Sequence, residues 1–118
     1  MDKNDLKIRT KIFAHRCVKV ATSLPKNKLG SHIEGQLIRC ATSVAVNNRA
    51  VVIAHSTPSF AAKLSIVIEE VDECDFWLEF ALDENIITNE IVEPLMKEAK
   101  ELTSIFIASR KTIQSKNN

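Results

Sequence analysis

Apolar residues recur along the chain at steps of three and four, in four runs separated by turn-forming breaks. That spacing lines one face of a helix and does not alternate as a strand would. The first run predicts a helix over about 5–23, which ends at Leu24-Pro25-Lys26-Asn27-Lys28-Leu29-Gly30. The second covers about 31–54, with Ser31 and Glu34 spaced as a capping box. His55-Ser56-Thr57-Pro58-Ser59 breaks the pattern again; Thr57 or Ser59 is the expected cap, and Pro58 suits a first turn because it has no N–H to leave unpaired. A third helix over about 59–85 carries Phe60, Leu64, Val67, Val71, Cys74, Leu78, Ala81 and Leu82 on one seam. The fourth, about 88–114, places Ile91, Leu95, Ala99, Leu102, Ile105, Phe106, Ser109 and Ile113 together. Pro94 lies beyond its first turn, so a kink or a true start near Glu93 is expected.

The second helix has apolar residues on two sides. Ile33, Leu37, Cys40, Ala41, Val44 and Val51 form one stripe, and Ile38, Ala45 and Val52 a second at seven-residue steps. A helix needing cover twice implies a central place in a bundle or a subunit interface. Short connections favour antiparallel neighbours, so the pattern predicts an all-α, up-down-up-down four-helix bundle over residues 1–118 as a single domain. Phe76, Trp77 and Phe80 fall beside the third helix's seam and widen its apolar surface, which also favours a homo-oligomer.

Charge changes this picture by its distribution. Sixteen basic and fifteen acidic residues nearly cancel, which is not the composition of a strongly basic nucleic-acid-binding domain. Yet Lys7, Arg9, Lys11, Arg16 and Lys19 crowd the first helix, while Glu69, Glu70, Asp72, Glu73, Asp75, Glu79, Asp83 and Glu84 crowd the third, where residues 66–84 hold no base. The basic helix is either a phosphate-contacting face or the partner of a neighbouring subunit's acidic helix, and the residues leave both open. No run approaches the length needed to span a bilayer, and the first residues are polar, so neither membrane insertion nor export is expected. Cys17, Cys40 and Cys74 are odd in number and each sits in an apolar stripe, which predicts buried reduced thiols in a cytoplasmic protein.

Candidate chemistry is thin. Glu69, Glu70 and Glu73 share one helix, but the Glu-x-x-His pairs of carboxylate di-metal bundles are missing. His15, His32 and His55 have no Cys or Asp at ligand spacing, and no Gly-rich phosphate loop occurs. No metal, cofactor or enzymatic activity is therefore expected. Asn47 is expected to face the core and to join a polar network with Glu69, Glu70 and Glu73, with Arg39 or Arg49 as charge partner.

The segments Gln36-Leu37-Ile38-Arg39-Cys40-Ala41-Thr42-Ser43-Val44 with Asn47, Arg49 and Ala50, then Phe60-Ala61-Ala62-Lys63-Leu64-Ser65-Ile66, Glu69-Glu70-Val71-Asp72-Glu73 and Phe76-Trp77-Leu78-Glu79, carry a resemblance. In that order they resemble the bacterial S23 ribosomal protein family, associated with intervening sequences in 23S rRNA genes. The resemblance implies an up-down four-helix bundle that assembles as a homopentamer. It also implies kinship with the accessory protein of diversity-generating retroelements, which binds nucleic acid and a reverse transcriptase. Ile53 and His55 stand where similar sequences often have arginine, and this weakens the nucleic-acid expectation. Two expectations are carried forward. One is an oligomeric bundle that binds RNA or DNA through Lys7, Arg9, Lys11, Arg16 and Lys19, with Arg39 and Arg49 if they reach the surface. The other is an oligomeric scaffold or adaptor that recruits a protein partner without nucleic acid.

Overall fold

In a computed structural model describing residues 2–54 and 56–116, four helices follow in order: α1 (Lys3–Ser23), α2 (Lys28–Val52), α3 (Thr57–Asp83) and α4 (Asn89–Lys116). They pack around a ring in which α1 neighbours α2 and α4, and α3 neighbours α2 and α4, giving a rod of 49 × 22 × 20 Å. The α1–α4 pair makes the thinnest of these four contacts.

Helix starts fall two or three residues earlier than periodicity alone suggests in α1, α2 and α3, because side chains outside the apolar pattern cap them. Asp2 and Asp5 form a reciprocal capping box at α1. At α2, Asn27 accepts a 2.8 Å bond from the Gly30 amide, so the expected box of Ser31 and Glu34 does not form. Glu34 instead receives a 3.4 Å contact from Lys26. Gly30 belongs to the helix, not to the break before it, and a Cβ there would lie 1.9 Å from the Pro25 carbonyl oxygen. Ser56, and neither Thr57 nor Ser59, caps α3, accepting from the Ser59 amide, with Pro58 in the first turn. Asn85 ends that helix with φ of 59°, and the Ile86 amide reaches back to the Ala81 carbonyl at 3.2 Å. The last helix runs through Pro94, which is exposed.

The core stripe of α2 is buried as its spacing predicts, and so is the α3 seam from Leu64 to Ala81. In α4 the expected stripe is only partly buried, with Ile105, Ser109 and Ile113 half-buried. Val92 is buried and Ile91 is exposed, so the seam runs through Val92, Leu95, Ala99, Leu102 and Phe106. Phe13 of α1 and Phe106 of α4 are the largest fully buried side chains. Fully burying an aliphatic or aromatic side chain contributes about 1.5–3 kcal/mol, so the core shared by the four helices stabilises the bundle far more than any single polar contact. At its centre Cys17, Cys40 and Cys74 are free and fully buried, with the Cys40 and Cys74 sulfurs 3.1 Å apart across α2 and α3. Hydrogen bonding with the Cys17 and Cys40 thiols, together with burial, holds Cys74 above the ordinary thiol range. Among the described residues, no helix is long and apolar enough to cross a membrane.

Candidate nucleic-acid interface

The basic residues of α1 separate into three environments because successive positions turn by about 100° around a helix. Arg9 turns toward α4. Its guanidinium donates to both oxygens of Glu98, at 2.7 and 2.6 Å, and to Glu101 at 2.7 Å. The hydrogen bond with Glu98 raises its pKa above the usual arginine value, and the group is spent as an interhelical clamp. Arg9 is therefore withdrawn from the expected phosphate-contacting set.

Lys7 and Lys11 turn toward α2. With Arg49 they rim a groove of about 440 Å³ whose lining also includes Ala14, His15, Val18, Thr42, Ala45 and Val46. The helices are antiparallel, so Lys7 near the start of α1 and Arg49 near the end of α2 share one end of it. No carboxylate lines the groove, and Lys7, Lys11 and Arg49 form no ion pair among the described residues. Arg16 and Lys19 lie on the other flank, at a groove of about 330 Å³ with Val20, Ser23, Ile91 and Leu95.

Arg39 reaches the surface, with its side chain 51% exposed, but its guanidinium is held by carboxylates of α3. It bonds Glu70 at 2.9 Å and also Glu73 on α3, and Glu73 in turn accepts from the Trp77 indole at 3.3 Å. Those bonds, that with Glu73 first, raise the Arg39 pKa above its usual value. The expected polar network forms here without Asn47. The Asn47 amide donates to the Ser43 carbonyl and hydroxyl, both at 2.9 Å, and so stays on its own helix. Glu69 is exposed and takes no part. The adjacent Asn48 is the one that enters the core, 2% exposed, with its Nδ2 unbonded among the described residues. Both asparagines flank the stripe defined by Val44 and Val51, and a rotation of half a residue decides which is buried. Among the described residues no group of three or more His, Cys, Asp or Glu side chains is arranged to hold a metal ion.

The arrangement thus offers a groove between α1 and α2 with an apolar lining and cations at its rim. Its place in the known protein world follows from comparison. The family model described as 23S rRNA-intervening sequence protein matches residues 3–108. The chain belongs to that family.

A crystal structure of a Bacteroides thetaiotaomicron protein of unknown function, from the S23 ribosomal protein family, shares 29% identity and a TM-score of 0.86 with it. The match covers 94% of this chain and 99% of that one, so the four-helix arrangement is shared from end to end. No curated protein matches. Of the two positions where similar sequences often have arginine, Ile53 is highly exposed just past α2, and His55 lies outside the described residues. Family membership did not reveal the loss of Arg9 and Arg39 to carboxylates. Glu98 and Glu101 share a helix face by their spacing of three, but only the folded chain brings Arg9 to them.

Proposed function

We propose that this member of the 23S rRNA-intervening sequence protein family is a non-enzymatic, homo-oligomeric bundle that binds the phosphate backbone of RNA through the α1–α2 groove. One observation carries the reading: Lys7, Lys11 and Arg49 converge on one groove that contains no carboxylate. Phosphate contacts release counterions, so such a surface gives affinity that falls steeply with salt. The family's description directs attention to 23S rRNA as the RNA to test. Three free buried thiols support a reducing, cytoplasmic setting.

Self-assembly draws support from a separate observation. Ile8, Ile12 and Phe76 are each more than half exposed, and Phe80 is 36% exposed. Contiguous exposed apolar side chains, as in the Phe76–Phe80 pair, mark an interaction surface. Five copies is the size that the family resemblance suggests. A scaffold that recruits a protein without RNA is the second reading, and these same exposed apolar side chains favour it.

Filter binding with 23S rRNA fragments, from low to moderate salt, separates the two readings. The intact chain should bind with a negative salt slope. The triple variant Lys7→Glu, Lys11→Glu, Arg49→Glu should lose at least about tenfold in affinity at low salt, and its slope should flatten by about 0.7–0.9 per lost contact. Absence of salt-dependent binding by the intact chain, to rRNA fragments and to duplex DNA alike, would defeat the nucleic-acid reading and leave the scaffold.

A further inference from the structure

We infer that the flank of α1 facing away from the RNA groove docks onto the exposed face of α3 in a second copy of this chain; the inference rests on the self-assembly proposed above. On α3, Glu69, Asp72, Phe76, Glu79, Phe80 and Asp83 are all exposed, and their spacing places them on one outward strip. None of its four carboxylates forms an ion pair among the described residues. The other acids of the segment are used internally: Glu70 and Glu73 hold Arg39, and Asp75 meets Lys100. Phe76 and Phe80 stack at 5.8 Å within this acidic strip, and Trp77 backs them edge-on.

The outer flank of α1 is its complement. Ile8 and Ile12 are exposed apolar residues, and Arg16 and Lys19 are exposed cations without intrachain ion pairs among the described residues. Beside them lies the groove shared with α4, about 330 Å³ in volume and floored by Val20 and Leu95, with Ile91 at its edge. It has room for an aromatic ring.

Charge selects the pairing. A symmetric contact of α1 with α1 would bring cations together, and α3 with α3 would bring carboxylates together. Only α1 against α3 joins opposite charges and apolar groups at once. Because α1 and α3 sit diagonally across the bundle, the two surfaces point in opposite directions and no single chain can satisfy both. The contact is therefore head-to-tail, and repetition closes a ring or extends a filament. Lys7, Lys11 and Arg49 remain outside it, free for phosphate.

Size-exclusion chromatography with light scattering tests this on the full chain, with circular dichroism as the check of folding. The intact protein should run as a multiple of 13.2 kDa. The α3 pair Glu79→Lys with Asp83→Lys, and separately the α1 pair Arg16→Glu with Lys19→Glu, should each weaken self-association on the order of a hundredfold. All four changes in one chain should restore the oligomer, which a merely misfolded variant would not do. An oligomer that ignores both reversals, or a four-site chain that stays at 13.2 kDa, overturns the inference while self-assembly stands. An intact chain that is monomeric at every concentration overturns self-assembly itself.

Discussion

Two seams of this bundle use the same device under different conditions. At α2–α3, Arg39 holds Glu70 and Glu73; at α1–α4, Arg9 holds Glu98 and Glu101. In both, one guanidinium crosses to two carboxylates three residues apart on the facing helix. The surroundings differ. The α2–α3 seam is thickly packed, and the Arg39 side chain is 51% exposed at its edge. The α1–α4 seam is the thinnest contact between neighbours, and there the Arg9 side chain is only 23% exposed; Glu98 and Glu70 are equally shielded, at 16% and 15%, so the seams differ at the guanidinium and in the packing around it. An ion pair in water adds little to helices already held by apolar packing. One shielded from water, where packing is sparse, carries more of the load.

The sharpest break of this comparison is at Arg9. Arg9→Ala leaves Glu98 partly buried without its cation and should cost about 2 kcal/mol in urea unfolding. Hydrogen exchange should then show α1 opening ahead of α2 and α3. A loss equal to that of Arg39→Ala would erase the distinction between the seams.

The next effect is a pH dependence of the thiol cluster where α1, α2 and α3 meet. In the folded chain Cys74 stays protonated, whereas in the unfolded chain it ionises around its ordinary value of 9.0. Above that pH the unfolded state holds fewer protons, so stability falls as pH rises, by up to about 1.4 kcal/mol per unit from this group. Below it the group has no effect. Denaturation midpoints between pH 8 and 10.5 should show the decline, and Cys74→Ala should remove its share of the slope.

The smallest effect is expected at Arg39. Arg39→Ala should cost less than about 1 kcal/mol, and moderate salt should shrink even that. A thermal melt with and without added salt checks it.

Much of the architecture was legible in residue spacing, because burying one stripe per helix is the dominant requirement and leaves a period of three and four. The stripes of α2 and α3 show this directly. Helix starts were less legible. Several residues near each break could cap, and the choice fell to tertiary fit, as where Gly30 tucks under the Pro25 carbonyl. Asn47 and Asn48 differ by a fraction of a turn, too little for periodicity to separate. The basic face was legible as a set of cations but not as a site. Whether an arginine meets solvent or a glutamate 89 residues away, as Arg9 does, depends on how distant helices face one another.

The three central thiols have a further consequence. Cys17 belongs to α1, whereas Cys40 and Cys74 belong to α2 and α3, and all three are fully buried. Alkylation by a thiol reagent must therefore wait for the helices to part. The order in which these native sulfurs become labelled is a record, written by the chain itself, of which seam opens first.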